Sequence, residues 1–119
     1  SVIMVKIHIK DLTLFCLIGI YPEERKKKQK LIFNITINAC LKESLDDEIT
    51  NTIDYADVEN KVVDLIENSD FFLIETLANE VAKIILNDKR IESVIVKIDK
   101  PNALKFSKAA SVEIQKNRN

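Results

Sequence analysis

Three stretches of the chain carry an apolar side chain at every second position, as a β-strand with one buried face does, and most of the polar residues lie at the positions between them. Apolar side chains occupy odd positions over residues 2–9, even positions over 12–18 and odd positions over 31–41. The change of parity requires one extra residue near Lys10–Asp11, which a β-bulge supplies. We therefore predict one long, kinked strand over residues 2–18, followed by a second strand.

Antiparallel pairing of these two strands keeps both apolar rows on the same face of a hairpin. The expected register places Leu12 opposite Ile37 and, beyond the bulge, Ile7 opposite Leu41. Each pair then contributes two apolar side chains to one common surface.

The middle of the chain has the periodicity of amphipathic helices. Residues 55–67 and 72–87 each carry an apolar stripe, and Asp54 is placed to cap the first helix. Alternation around residues 94–98 and 110–114 predicts two further strands. The order β-β-α-α-β-β predicts an α+β fold, in which both helices cover one face of a four-stranded antiparallel sheet.

Residues 1–119 amount to a single domain, and residues 117–119 are expected to be a frayed tail. The second face of the predicted sheet is half polar, and the core beneath two short helices is small. Closing several such sheets into a larger barrel would remove their unpaired edges, so association of several copies is physically reasonable.

The composition excludes several functional classes. Eighteen basic and nineteen acidic residues give a net charge of −1, without the positive excess of a nucleic-acid binder. A single glycine cannot form a Gly-rich phosphate loop. No apolar run approaches the ~20 residues of a membrane span. The alternating start of the sequence does not fit a signal peptide, which leaves the cytoplasm as the default location.

Two cysteines and one histidine are too few for a structural zinc site, which takes about four such ligands. Cys16 and Cys40 fall on opposite faces of the predicted hairpin, roughly 20 Å or more apart, which is too far for a disulfide. We expect two free thiols, as in a reducing compartment. His8, expected opposite Cys40, fits a packing or surface role. No metal site is predicted.

Two charged residues interrupt apolar rows and are candidates for chemistry. Glu75 falls inside the apolar arc of the second helix, where a carboxylate needs hydrogen-bond donors; the alternative is a helix-dipole role in the first turn. Lys100 extends the apolar row of the third strand, and Pro101 holds it extended. A lysine with a buried stem at a cleft can act as a base, whereas the alternative is an amine that reaches solvent.

Three further features have both functional and structural interpretations. Tyr55, at the start of the first helix, can stack on a ring, donate a proton or simply pack. Glu23 and Glu24 follow the only glycine, Gly19, and loop carboxylates are usually solvated. The basic run 25–30 can be a phosphate patch, but a solvated hairpin tip is the favoured interpretation.

Four short motifs, in order along the chain, resemble those of the dihydroneopterin aldolase family. The resemblance covers nearly the whole chain, and the motifs together are more specific than any one alone. They are Ile18-Gly19-Ile20-Tyr21-Pro22-Glu23-Glu24 with Gln29-Lys30-Leu31, Asp46-Asp47 with Thr52-Ile53-Asp54-Tyr55, Leu73-Ile74-Glu75 with Leu77-Ala78, and Lys100-Pro101 with Ala103.

This resemblance implies the tunnelling fold, in which subunits close into tetrameric barrels and two rings stack into a homo-octamer with active sites between subunits. It implies a lyase of folate biosynthesis that cleaves 7,8-dihydroneopterin into 6-hydroxymethyl-7,8-dihydropterin and glycolaldehyde. Neither a metal, a Schiff base nor another cofactor is implied, because the pterin ring accepts the electrons. The small pterin is the expected partner, with no nucleic acid or membrane.

The resemblance also assigns roles to individual residues. Glu75 would grip the 2-amino-4-oxo edge of the ring with two parallel hydrogen bonds. Lys100 would act as the base and Tyr55 as the acid that protonates the enol intermediate. Glu24 would bind the hydroxylated tail of the substrate, and the backbones of Ile53 and Ile74 would add contacts.

Two alternatives remain open at this point. Ser111 and Lys116 stand where many aldolases carry Gly and Arg, and Ser111 is shared with the related dihydroneopterin triphosphate 2'-epimerases. The basic run 25–30 could meet a triphosphate, whereas Lys100-Pro101 favours the aldolase. The second alternative is a non-enzymatic binding module that forms oligomers through its sheet edges.

Overall fold

The computed structural model describes residues 1–118 and contains one four-stranded sheet with two helices. The strands pair antiparallel in the order β1-β2-β3-β4. The helices and one face of the sheet share a single apolar core, which confirms the predicted α+β fold. The elements are β1 (Val2–Cys16), β2 (Gln29–Lys42), α1 (Tyr55–Glu67), α2 (Ile74–Ile85), β3 (Ile91–Pro101) and β4 (Ala109–Asn117).

The β-bulge lies where the change of parity predicts it, between Ile9 and Leu12. Asp11 adopts a left-handed conformation with φ of 53°. Its backbone N–H donates to Asn34 Oδ1 at 3.0 Å, and Asn34 Nδ2 donates to Asp11 Oδ1 at 3.2 Å. The Asn34 side chain therefore satisfies the backbone N–H of Asp11, at the position where the bulge interrupts the ladder.

The predicted register of β1 against β2 is wrong by four residues. Leu12 lies opposite Phe33 rather than Ile37, and Ile7 lies opposite Ile37 rather than Leu41. Strand β1 also ends at Cys16 and not at residue 18. Because four is an even number, the slip leaves every side chain on its predicted face, and alternation alone cannot detect it.

The same slip changes the neighbours of His8 and of both cysteines. His8 lies opposite Thr36, with Nδ1 3.1 Å from Thr36 Oγ1, and not opposite Cys40 as predicted. Cys16 is buried and Cys40 is half-buried on the opposite face, and both are free, which confirms the two free thiols. Burial raises the pKa of the Cys16 thiol above its ordinary value.

The first helix has the predicted bounds, and the second is shorter than predicted. The Asp54 carboxylate caps α1 by accepting hydrogen bonds from the N–H groups of Ala56 and Asp57, at 3.1 and 3.2 Å. Helix α2 spans Ile74–Ile85 instead of residues 72–87, and its N-cap residue, Leu73, provides no side-chain hydrogen bond.

The expected frayed tail is wrong for residues 117 and 118. Asn117 belongs to β4. The Arg118 guanidinium donates to the carbonyl of Ile91 at 2.8 Å, to that of Asp88 at 2.9 Å and to that of Leu86. These contacts tie the chain to the turn that precedes β3, and Asn119 lies outside the described residues.

The core lies between the helices and the sheet, with Phe33 as its largest fully buried side chain. The other face carries polar side chains among half-buried apolar ones, and Asn38 Nδ2 donates to Ser93 Oγ across β2 and β3 at 2.9 Å. No helix among residues 1–118 is long and apolar enough to cross a membrane. The same residues hold no group of three or more metal-ligating side chains.

Candidate active site

The Glu24 carboxylate packs directly against Gly19, the only glycine of the chain. Gly19 is buried with φ of +119°, and a Cβ atom built on it would lie 2.2 Å from Glu24 Cδ. A 3₁₀ turn over Pro22–Arg25 then folds the Glu24 carboxylate back, so that Oε1 accepts the N–H of Tyr21 at 3.2 Å. A residue with any side chain at position 19 would be strained and would displace the carboxylate.

Glu24 and Lys100 meet at the end of the sheet, although 76 positions separate them in sequence. Lys100 Nζ lies 2.5 Å from Glu24 Oε2, and each side chain is only about one-sixth exposed. Gln29 Nε2 donates to the same carboxylate oxygen at 3.0 Å and to the carbonyl of Ile18 at 2.7 Å. The interpretations of Glu24 as a solvated loop carboxylate and of Lys100 as a solvent-directed amine are therefore wrong.

The hydrogen bond from Lys100 is the largest of the influences that lower the pKa of Glu24 from 4.5 to about 2. Burial raises this pKa, while hydrogen bonds from Gln29 and from the backbone of Tyr21 lower it further. The carboxylate is thus held ionised next to a cation, at a position where both groups can contact a polar substrate.

This pairing predicts a specific dependence of stability on pH. Because the pKa of Glu24 is lower in the folded chain, the ion pair stabilises the fold above pH 4.5 and is lost as the pH falls towards 2. We expect the difference in unfolding free energy between wild type and Glu24→Gln to shrink by about 2–3 kcal/mol over that interval. Urea denaturation at a series of pH values measures it.

Glu23→Gln is the matched control, because Glu23 is exposed and adjacent in sequence. Its unfolding free energy should follow that of wild type across the same pH range. If the difference between wild type and Glu24→Gln were constant with pH, the Glu24–Lys100 pair would not stabilise the folded chain.

A cavity of about 420 Å³ opens beside the Glu24–Lys100 pair. It combines two acidic side chains, three lysines and the turn that follows β3. The lining residues are Glu23, Glu24, Lys27, Lys28, Gln29, Lys30, Pro101 and Asn102. All four lysines of the basic run are exposed, as expected for a solvated hairpin tip, and three of them border this cavity.

The start of α2 lies at the same end of the fold as the Glu24–Lys100 pair. Arg25, from the loop that carries Glu24, donates to the carbonyl of Phe71 at 3.0 Å, close before Ile74 and Glu75. Ile74 is half-buried, but Glu75 is exposed, which in the single chain favours the helix-dipole interpretation of Glu75 over that of a carboxylate needing donors within the apolar arc. The helix leaves its first turn uncovered, and Leu73 is 49% exposed as well.

Ile53 and Tyr55 lie at the opposite end of the molecule. Ile53 is buried and Tyr55 is 65% exposed, and Arg90 Nη1 donates to the carbonyl of Thr50 at 3.2 Å, which ties this segment to the start of β3. Lys100 lies near the other end of β3. At ~3.3 Å per residue, the strand separates the two ends by roughly 30 Å. One chain therefore brings together Glu24, Lys100, Ile74 and Glu75, but neither Ile53 nor Tyr55.

Three residues of this arrangement had no role assigned from the sequence: Gly19, Arg25 and Gln29. Gly19 and Gln29 were recognisable as motif positions, and a lone glycine before a turn is a signal for positive φ. Arg25 is part of the basic run, and nothing in the sequence indicates that it points inward while the adjacent lysines point outward.

The chain matches the family model described as FolB, dihydroneopterin aldolase, over residues 7–115. It is 31% identical to the dihydroneopterin aldolase of Haemophilus influenzae, across 93% of the chain and 95% of that protein. It is 28% identical to the dihydroneopterin triphosphate 2'-epimerase of Pseudomonas aeruginosa, across 97% and 94%. It is 39% identical to the folic acid synthesis protein fol1 of Pneumocystis carinii, across 92% of the chain but only 15% of that protein.

The fold also matches a solved structure, that of Escherichia coli dihydroneopterin aldolase in complex with neopterin. The TM-score is 0.85 at 28% identity, and the match covers 95% of this chain and 99% of the other. The model match alone spans far more than half of the sequence. The chain therefore belongs to the FolB, or dihydroneopterin aldolase, family.

Proposed function

We propose that the chain is a dihydroneopterin aldolase, which cleaves 7,8-dihydroneopterin into 6-hydroxymethyl-7,8-dihydropterin and glycolaldehyde. The observation that carries the proposal is the Glu24–Lys100 pair, which Gln29 holds beside a cavity. The contact of Arg25 with Phe71 brings the start of α2, with Glu75, to the same end of the fold. In this arrangement, the Glu75 carboxylate is available for the pterin ring, and the paired side chains of Glu24 and Lys100 are available for the substrate tail.

Each group has a defined task in the proposed reaction. The Glu75 carboxylate accepts two parallel N–H donors from the 2-amino-4-oxo edge of the pterin. The tail hydroxyls compete with Lys100 for Glu24, which loosens the ion pair. The Lys100 ammonium gives up a proton to water, and the resulting neutral amine then removes the hydroxyl proton, directly or through water. The carbon–carbon bond then breaks, glycolaldehyde leaves, and the ring system takes up the electron pair as an enol.

The enol must receive a proton on carbon to give the hydroxymethyl product. Tyr55 is the proposed acid, and because it lies at the end of the fold where β3 starts, whereas Lys100 lies where β3 ends, we infer that a second copy supplies it. Uncovered apolar side chains flank both halves of the site, which is typical of surfaces that another chain covers. They include Ile20, Tyr21, Phe72 and Leu73 at one end and Ile49 and Tyr55 at the other. The proposed assembly is the homo-octamer of two tetrameric rings, with sites between subunits.

A complementation experiment tests this division of the site. Lys100→Ala and Tyr55→Phe are each expected to be inactive alone, but mixed subunits recover roughly a quarter of wild-type activity, because random pairing restores that share of sites. The measurement is glycolaldehyde release after the two variants are unfolded together and refolded. Activity that stays at the level of the separate variants would place both residues in one chain's site.

The epimerase remains a second candidate, and one observation favours it. Lys27, Lys28 and Lys30 line the cavity beside Glu24, where a phosphorylated substrate tail would extend. Lysine ammonium groups bind phosphate as point charges. The relative from Pseudomonas aeruginosa carries the epimerase name.

One assay separates the candidates. The protein is incubated with 7,8-dihydroneopterin and, separately, with its triphosphate, and both glycolaldehyde and the 2'-epimer are measured. Glycolaldehyde from dihydroneopterin supports the aldolase. The epimer alone, formed from the triphosphate, supports the epimerase. If neither pterin binds, the chain is the non-enzymatic binding module.

A further inference from the structure

Arg25 does not share the outward orientation of the lysines beside it. Its guanidinium donates to the backbone carbonyls of Gly19 and Phe71, both at 3.0 Å, and to that of Asp70. It also lies 4.3 Å from the centre of the Phe72 ring, in a cation–π contact. One half-buried cation therefore satisfies three carbonyls that belong to two separate loops.

The two loops carry the two halves of the substrate site that a single chain contributes. The first loop holds Gly19, and the Glu24 carboxylate occupies the space that a side chain at this position would take. The second loop, residues 70–73, leads directly into Ile74 and Glu75. The spacing between the tail-binding carboxylate and the ring-binding carboxylate therefore depends on how these loops are joined.

The start of α2 packs against the core through Phe71 and Ile74, but it has no capping side chain of its own. Its N-cap residue, Leu73, gives no side-chain hydrogen bond, so the usual capping device is missing there. Phe72 is 59% exposed, and Leu73 is 49% exposed. The carbonyls of Asp70 and Phe71 find their donor in Arg25, which reaches across from the hairpin loop. A planar guanidinium suits such a task because its donors form a rigid fork.

We propose that Arg25 is a positioning residue for pterin binding: it holds the segment that precedes Glu75 at a fixed distance from Glu24. The inference rests on the proposed function, because it concerns the site that would take the pterin. Arg25 acts through Glu75 and does not touch substrate. Glu24 keeps its own bonds to Gln29, Lys100 and Tyr21, so loss of Arg25 disturbs the ring end of the site more than the tail end.

The test compares Arg25→Met with Lys26→Met, a neighbouring exposed lysine that does not line the cavity. We expect Arg25→Met to raise KM for dihydroneopterin and Kd for 6-hydroxymethylpterin roughly 10- to 100-fold, since misplacement by about 1 Å has effects of that size. The kcat should change by only a few-fold. Lys26→Met should match wild type in all three constants.

A double-mutant cycle separates positioning from general destabilisation. If Arg25 acts through Glu75, then Arg25→Met should weaken binding far less in a Glu75→Gln background than in wild type. Equal, additive losses in both backgrounds would overturn the proposal, and so would an Arg25→Met protein that binds pterin like Lys26→Met. If Arg25→Met does not fold, Arg25→Lys is used in the same cycle, where a smaller but equally non-additive loss is expected.

The same measurements distinguish this inference from the proposed function. If the wild-type protein binds no pterin, both the proposed function and this inference are wrong. A wild-type protein that binds and cleaves dihydroneopterin, alongside an unaffected Arg25→Met, removes only the role of Arg25.

Discussion

Replacing Lys100 with alanine is expected to lower kcat for dihydroneopterin cleavage about 10²- to 10⁴-fold, the usual contribution of a positioned acid or base. The affinity for pterin should change only a few-fold, because in the proposed binding mode Glu75, and not the amine, holds the ring. Lys100 Nζ lies 2.5 Å from Glu24 Oε2, so a substrate tail that binds Glu24 as proposed would lie next to this amine. Single-turnover kinetics and fluorescence titration with the product pterin measure the two quantities separately.

The matched control is Lys97→Ala. Lys97 lies on the same strand, β3, but is exposed on the opposite face of the sheet. Its removal should leave kcat unchanged. Lys100→Ala also leaves the Glu24 carboxylate without its cation, so its melting temperature is recorded as well. A stable Lys100→Ala protein with undiminished turnover would remove the proposed role of this lysine.

The sequence predicted local features of the fold well, because each depends on neighbouring residues. The cap at Asp54 and the bulge at Asp11 follow from side-chain type and from parity. The register of β1 against β2 depends instead on how many residues the hairpin loop consumes. The 3₁₀ turn over Pro22–Arg25 occupies part of that loop, and alternation fits any even shift equally well.

The same holds for the candidate site: individual residues were predictable from local sequence, but contacts between residues distant in sequence were not. Motif positions identified Glu24 and Lys100 separately, but their contact depends on the end of β3 meeting the loop after β1, which no local pattern encodes. The distance between Tyr55 and Lys100 follows from the topology: α1 begins at the end of the sheet where β3 starts, and Lys100 lies where β3 ends. Residues with neighbouring roles in the proposed reaction can therefore lie far apart in one subunit.

Because Glu75 is exposed, replacing it should change pterin binding strongly while changing the stability of the fold very little. In the single chain the carboxylate is exposed in the first turn of α2, where its favourable interaction with the helix dipole is worth about 0.3–1 kcal/mol. We expect Glu75→Ala to lower stability by no more than that. Pterin binding should weaken about 100-fold or more, since two hydrogen bonds to a charged group contribute ~1.5–3 kcal/mol each. Equilibrium titration with 6-hydroxymethylpterin measures the loss.

Two further variants decide whether the effect is specific to the paired carboxylate oxygens. Glu75→Gln keeps the size of the side chain but offers one acceptor where the ring edge presents two donors, so it should bind pterin nearly as poorly as Glu75→Ala. Glu80→Ala removes a carboxylate from the same helix, one that pairs with Lys83 at 3.1 Å, and should bind like wild type. Unchanged pterin affinity in Glu75→Ala would remove the proposed ring-binding role of this carboxylate.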